Sequence, residues 1–189
     1  GVGTGDGFAV ISGTSMAAPM TAGAAALVKA ANPTWRGDRI KAALQNTADP
    51  GLNRGYDSRL SGTGVVQAQR AVDAEVLATT EDGLNSLAFG YVPGTGDYQA
   101  SESFTLSNYG DAPVTYDLSV DADDAADGDA EHGADIAVSP QQVTVPAGGT
   151  ETVTATLSMS ADDFASLPGA STFETGPGKV TTVRGAVVA

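Results

Sequence analysis

Cysteine is absent from all 189 residues, which excludes a disulfide framework and any thiolate metal site. Histidine occurs once, at His132, and tryptophan once, at Trp35. Basic residues are scarce: 9 Lys and Arg stand against 23 Asp and Glu, for a formal net charge of −14. Such a surface repels polyanions, so neither nucleic acid nor an anionic membrane is expected as a partner. Long apolar runs are also lacking. The one stretch that approaches the ~18 residues of a membrane span carries Pro19, Gly23 and Lys29, and no span is expected. No basic segment followed by an apolar one opens the chain, and its first residue is Gly1 rather than Met. It reads as a segment of a longer polypeptide.

What is present begins with Gly1 to Gly7, a Gly-rich polar loop, then Phe8-Ala9-Val10-Ile11, a short apolar run that reads as a strand. Gly13-Thr14-Ser15-Met16-Ala17-Ala18-Pro19 follows and opens a nearly uncharged run, Ala17 to Ala31, in which Lys29 is the only ionisable residue. A helix apolar on all sides belongs in an interior. Pro19 is placed in its first turn, where a missing N–H costs little. A serine before a helix is, taken alone, an N-cap. At the buried head of such a helix, however, its hydroxyl sits where unpaired N–H groups and the positive end of the macrodipole converge, a favourable place for an oxyanion.

The Gly13–Pro19 block, continued by Thr21-Ala22-Gly23-Ala24-Ala25-Ala26-Leu27, resembles the nucleophile motif of the subtilisin-like serine endopeptidases (subtilases). Asn32-Pro33-Thr34 with Ile40, Leu44, Thr47 and Ala48 is similar to the segment after that helix. Gly62-Thr63-Gly64-Val65-Val66-Gln67-Ala68 with Ala71-Val72 resembles an element that closes many subtilase catalytic domains, with Gln67 in place of the usual Asn.

Helix signals support this order. Asn32-Pro33 ends the first helix, and Thr34 is a candidate N-cap for a second through Thr47. Its inner face is Ile40, Ala43, Leu44 and Thr47, with Arg39, Lys41 and Gln45 outward. Gly37 inside it costs about 1 kcal/mol relative to Ala. Trp35 is read as a surface-packing residue. Pro50 to Ser61 is turn-rich, and a helix from about Val66 to Leu77 closes a first domain over residues 1–80.

From Glu81 period-two alternation replaces helical spacing. Ser103–Ser107 and Val114–Val120 read as a hairpin about Asn108-Tyr109-Gly110-Asp111, with Phe104, Leu106, Tyr116 and Leu118 on one face. Gln142–Val145 and Thr152–Leu157 form a second pair about Pro146-Ala147-Gly148-Gly149, and Val180–Val188 is a late strand. About seven short strands indicate an antiparallel β-sandwich over residues 81–189. A strand ending in Asn-x-Gly, then Ser139-Pro140 and Val145-Pro146-Ala147-Gly148, resembles the fibronectin type III-like domain appended to secreted and envelope subtilases. The expected fold class is therefore mixed: a C-terminal helical fragment of a subtilisin-like α/β catalytic domain followed by a fibronectin type III/Ig-like sandwich. The chain ends inside or just after a strand, so truncation is expected there too.

A hydroxyl nucleophile needs a base, usually His. His132, in an acidic segment of the expected sandwich, reads as a solvated loop residue rather than the partner of Ser15. The subtilase resemblance implies a triad in the order Asp, His, Ser, so both partners and the Asn donor of the oxyanion hole are expected upstream of Gly1. It leaves Ser15 as nucleophile and oxyanion donor through its own N–H, with Gly13, Thr14, Met16, Ala17 and Pro19 as motif support. Met20 stands where many members have His and is read as a packing gap-filler. Without its base the segment alone is expected to be inactive. The implied partners are a protein or peptide substrate and the upstream catalytic segment of the same chain; the implied location is secreted or cell envelope. No cofactor is identified. Seven carboxylates between Asp121 and Asp135 do not follow the EF-hand order and read as a solvated loop, with weak calcium binding there, or calcium elsewhere in the full-length protein, as the other possibility. The competing functional reading is a non-catalytic adhesion or structural module with a degenerate peptidase-like remnant.

Overall fold

The computed structural model describes residues 2–3, 5–54, 61–90, 96–121, 134–166 and 186–188. Two antiparallel two-residue strands, β1 (Val2–Gly3) and β2 (Ala9–Val10), open it, with Val2 opposite Val10. The strand expected at Phe8–Ile11 is thus Ala9–Val10, and part of the expected Gly-rich loop is its partner.

Helix α1 (Thr14–Ala31) starts earlier than the Ala17 boundary. Gly13 makes the entry at φ 144, a left-handed-side conformation that favours glycine, and its carbonyl accepts from the N–H groups of Met16 (2.9 Å) and Ala17 (3.1 Å). Pro19 is consequently the sixth helical residue and not in the first turn. Asn32 ends the helix by donating its N–H to the Val28 carbonyl at 2.9 Å. Lys29 Nζ reaches past that end and donates to the carbonyls of Pro33 (2.8 Å) and Trp35 (2.7 Å), so the lone charge of the run serves the negative end of the helix and fixes the turn behind it.

Helix α2 (Gly37–Asn46) is preceded by extended Arg36 as its N-cap residue, so Thr34 does not cap it. Gly37 is its first residue, where the cost of an interior glycine does not apply. Ala43 and Leu44 are buried and Ile40 and Thr47 half-buried, as the helical spacing required, but Ala42 is buried too and Gln45 is half-buried rather than outward. A short α3 (Ala68–Val72) follows. The longer helix expected to reach Leu77 stops there, because Val76–Thr79 is strand β3.

Ala24, Val28, Trp35, Ala42, Ala43, Leu44, Ala71 and Leu77 form one buried cluster. Five of these eight are alanine or valine, so the helices approach closely. Trp35 is 5% exposed, which corrects its reading as a surface residue. A two-residue bridge closes the loop ahead of α3: Asp49 and Val65 exchange backbone hydrogen bonds of 2.9 and 3.0 Å. Gly64 permits that approach, since a Cβ there would lie 2.5 Å from Asp49 C and Pro50 N.

The second half is built from antiparallel sheets. One has the order β3-β4-β9-β7, with β4 (Tyr98–Asn108), β9 (Thr150–Met159) and β7 (Asp135–Ser139). Strands β5 (Val114–Asp117) and β8 (Gln142–Val145) form a second, and β6 (Ser119–Asp121) with β10 (Ala186–Val188) a third. Helix α4 (Ala161–Ser166) follows β9.

Both expected hairpins are corrected. β4 pairs with β3 and β9, β5 with β8, so each proposed turn carries the chain from one sheet to another. The physical reason is visible at Asn108, which is 2% exposed. Its Nδ2 donates to the carbonyls of Ala112 (2.8 Å) and Val145 (3.1 Å), and its Oδ1 accepts from the Gly110 N–H (2.9 Å). The buried amide bends the chain out of the sheet instead of folding it back on β4. Leu106, Val138, Val153 and Ala155 of the four-stranded sheet then share a core with Val143 and Val145 of β8 and with Leu118. Alternation placed Leu106 and Leu118 on an inward face, with Phe104 and Tyr116 half-buried beside them, but did not assign their strands to partners. Of the late strand, 180–185 lies outside the described residues.

Candidate active site

Ser15 is the second residue of α1 and is exposed. Among the described residues neither its Oγ nor its N–H has a hydrogen-bond partner. The N–H is one of the first-turn donors that a helix cannot satisfy internally. Thr14 precedes it as the first helical residue, and Gly13 stands at the N-cap position with no side chain to compete for those donors. A free hydroxyl beside a free amide, at the positive end of an 18-residue helix, is an arrangement suited to a group that forms a bond to carbon while its neighbour receives negative charge.

Pro19 lies four residues after Ser15 and has no N–H to give to the Ser15 carbonyl. The helical ladder is therefore interrupted beside the hydroxyl. Met16 and Ala17 supply the donors that Gly13 binds, so all the motif residues except Thr14 act through the backbone around Ser15.

The apolar character of α1 is not matched by burial. Within it only Ala24 and Val28 are buried, while Met20 is 76% and Leu27 57% exposed. Met20 thus fills no packing gap among the described residues. Phe8, Val10 and Ile11 are exposed as well, at 75%, 68% and 54%. Exposed large apolar side chains thus occur both on α1 and at β2.

His132 and most of the acidic segment from Asp121 to Asp135 fall outside the described residues. Among the described residues no three His, Asp or Glu side chains gather as a metal site, and no helix is long and apolar enough to cross a membrane. What sequence reasoning missed lies past the far end of α1: Trp35 and Arg39 meet Tyr109 of the second half, and Asn46 and Asn85 hold Ala78. Isolated polar residues at element ends were the only signal, and they name no partner.

Known proteins match the chain in two segments. Residues 3–92 match the Subtilase family and residues 93–175 an Fn3-like domain. The chain is similar to the subtilisin-like protease SBT4.15 of Arabidopsis thaliana, 38% identical over an alignment of 98 residues that covers 46% of this chain and 13% of that protein. It is similar to the minor extracellular protease Vpr of Bacillus subtilis, 32% identical over 116 residues, 59% of this chain and 14% of that one. With M-protease of Shouchella clausii it shares 46% identity over 67 residues, 35% of this chain and 17% of the relative. The chain therefore spans a small fraction of the length of the curated relatives it matches.

Proposed function

We infer that this chain, whose residues 3–92 match the Subtilase family and residues 93–175 an Fn3-like domain, supplies the nucleophile of a serine endopeptidase through Ser15. The observation that carries the reading is the exposed hydroxyl and the first-turn amide of Ser15 at the head of α1, neither of them hydrogen-bonded among the described residues. In the proposed reaction Ser15 Oγ adds to the carbonyl carbon of a peptide bond as its proton passes to a His contributed by polypeptide upstream of Gly1. The Ser15 N–H is one donor to the tetrahedral oxyanion. The C–N bond then breaks, the amine leaves with the proton, and water releases the acyl group from Ser15 by the same steps in reverse.

The exposure of Phe8, Val10 and Ile11 at β2 and of Met20 and Leu27 on α1 supports placing that upstream polypeptide against these two elements. The chain alone then lacks the base and the substrate cleft and does not hydrolyse peptides. The shared core of the four-stranded sheet and β8 supports reading the second half as a β-sandwich. One relative is named an extracellular protease, and with the Fn3-like domain this supports a secreted or envelope-associated enzyme acting on proteins or peptides.

The test is hydrolysis of an unfolded polypeptide by the full-length protein and by its Ser15→Ala variant. Cleavage lost by about 10³-fold or more on substitution supports the reading. A full-length protein that cleaves nothing is the adhesion module with a peptidase-like remnant.

A further inference from the structure

Between the helix that presents Ser15 and the β-rich half there is a continuous set of contacts that the proposed chemistry does not use. The end of α1 is tied by Lys29 to the carbonyl of Trp35, whose ring lies in the core with Val28 and Leu44. That ring meets Tyr109 edge-on, with centroids 5.4 Å apart and planes at 61°. Arg39 of α2 stacks over the Tyr109 ring at 4.4 Å from its centroid. Tyr109 is itself rigidly presented: its N–H donates to the Glu75 carbonyl at 2.7 Å, and the preceding residue is the buried, triply bonded Asn108.

We propose that Tyr109 is a positioning residue for the Ser15 helix, clamped between Trp35 and Arg39 so that the Fn3-like half holds α1 and α2 in place. Edge-to-face aromatic and cation–π contacts are each modest, but here both converge on one ring, 39% exposed, where the second half meets Trp35 and Arg39. Close-packed interiors pass displacement on from neighbour to neighbour. Loss of the ring removes the Tyr109 edge from Trp35, and Trp35 shares one buried cluster with Val28 of α1. The Fn3-like half is on this view a part of the catalytic scaffold rather than a spacer. The effect on activity rests on the proposed function; the effect on α1 does not.

Amide hydrogen exchange on this chain tests the clamp. Tyr109→Ala is expected to speed exchange in the second half of α1 and in α2 by about tenfold while the centre of β9 is unchanged. Tyr109→Phe keeps the ring and is expected to exchange as the parent does; Arg39→Gln removes only the cation and gives a smaller rise, about threefold. Unchanged exchange in α1 on loss of the ring, or an equal rise in β9, overturns the proposal. In the full-length protein Tyr109→Ala is expected to lower kcat about tenfold with KM little altered, and Tyr109→Phe to restore it. A full-length protein without peptidase activity removes the functional reading and leaves the exchange result to decide the clamp.

Discussion

Asn46, the last residue of α2, accepts the Ala78 N–H on its Oδ1 at 2.9 Å. Ala78 lies on β3, the edge of the four-stranded sheet, and its carbonyl accepts from Asn85 Nδ2 at 2.8 Å. Two side-chain amides thus stand in for a missing neighbour strand and close an edge that would otherwise be open to pairing. Asn46→Ala should destabilise the chain by about 1 kcal/mol, whereas Asn46→Asp, which keeps the acceptor, should be nearly neutral. Thermal denaturation of the two variants checks this.

Asn108 carries a larger consequence because it is buried and bonded three times. Replacement by Ala leaves the Ala112 and Val145 carbonyls short of a donor and should cost about 2–4 kcal/mol in urea unfolding. Asn108→Asp should be worse at neutral pH, since a carboxylate can donate to neither carbonyl, and should recover part of the loss in acid as it protonates.

Gly64→Ala is expected to cost about 2–5 kcal/mol, from an unfavourable φ and a Cβ driven into the Asp49–Pro50 backbone. Its signature should be local. Exchange of the Asp49 and Val65 amides should rise before that of β4 or β9.

Tyr116 provides a pH dependence. Burial, and then the Glu75 carboxylate, raise its phenol above 10.0. The folded state therefore holds that proton more tightly than the unfolded state does. The contribution is intact below the ordinary tyrosine value near 10 and is lost as pH rises through the folded value. Melting temperature should fall less steeply in alkali for Tyr116→Phe than for the parent.

Met20→Glu separates this chain from the longer protein. In the chain alone the side chain is 76% exposed, and the change should alter stability by less than about 0.5 kcal/mol. In the full-length protein, where further polypeptide is proposed to cover α1, the same change should cost about 2 kcal/mol or more. Parallel melts of both proteins decide it.

The sequence made some of this legible and not the rest, for reasons that lie in particular residues. Ser15 at the head of a helix followed from a local motif, and local motifs report local geometry. Ala43 and Leu44 were identified as buried because helical spacing needs only one partner surface, whichever it is. Pairing is different: the alternation of Val114 to Val120 is the same whether that strand lies beside β4 or across the core from it, and the buried amide of Asn108 decided the matter. Trp35 was misjudged because it is buried in a cluster that draws on residues as distant in the sequence as Ala71 and Leu77 and meets Tyr109, 74 positions away. The boundary of α1 moved because Gly13, not a side-chain cap, makes the turn into it.

The most direct measurement is the site of covalent capture by a fluorophosphonate in the full-length protein, read by peptide mass spectrometry. An adduct on Ser15, abolished by Ser15→Ala and absent when the 189-residue chain is treated alone, is the expected result. Stoichiometric labelling of a different serine, or no labelling of a folded full-length protein, would contradict the assignment of Ser15 as the nucleophile.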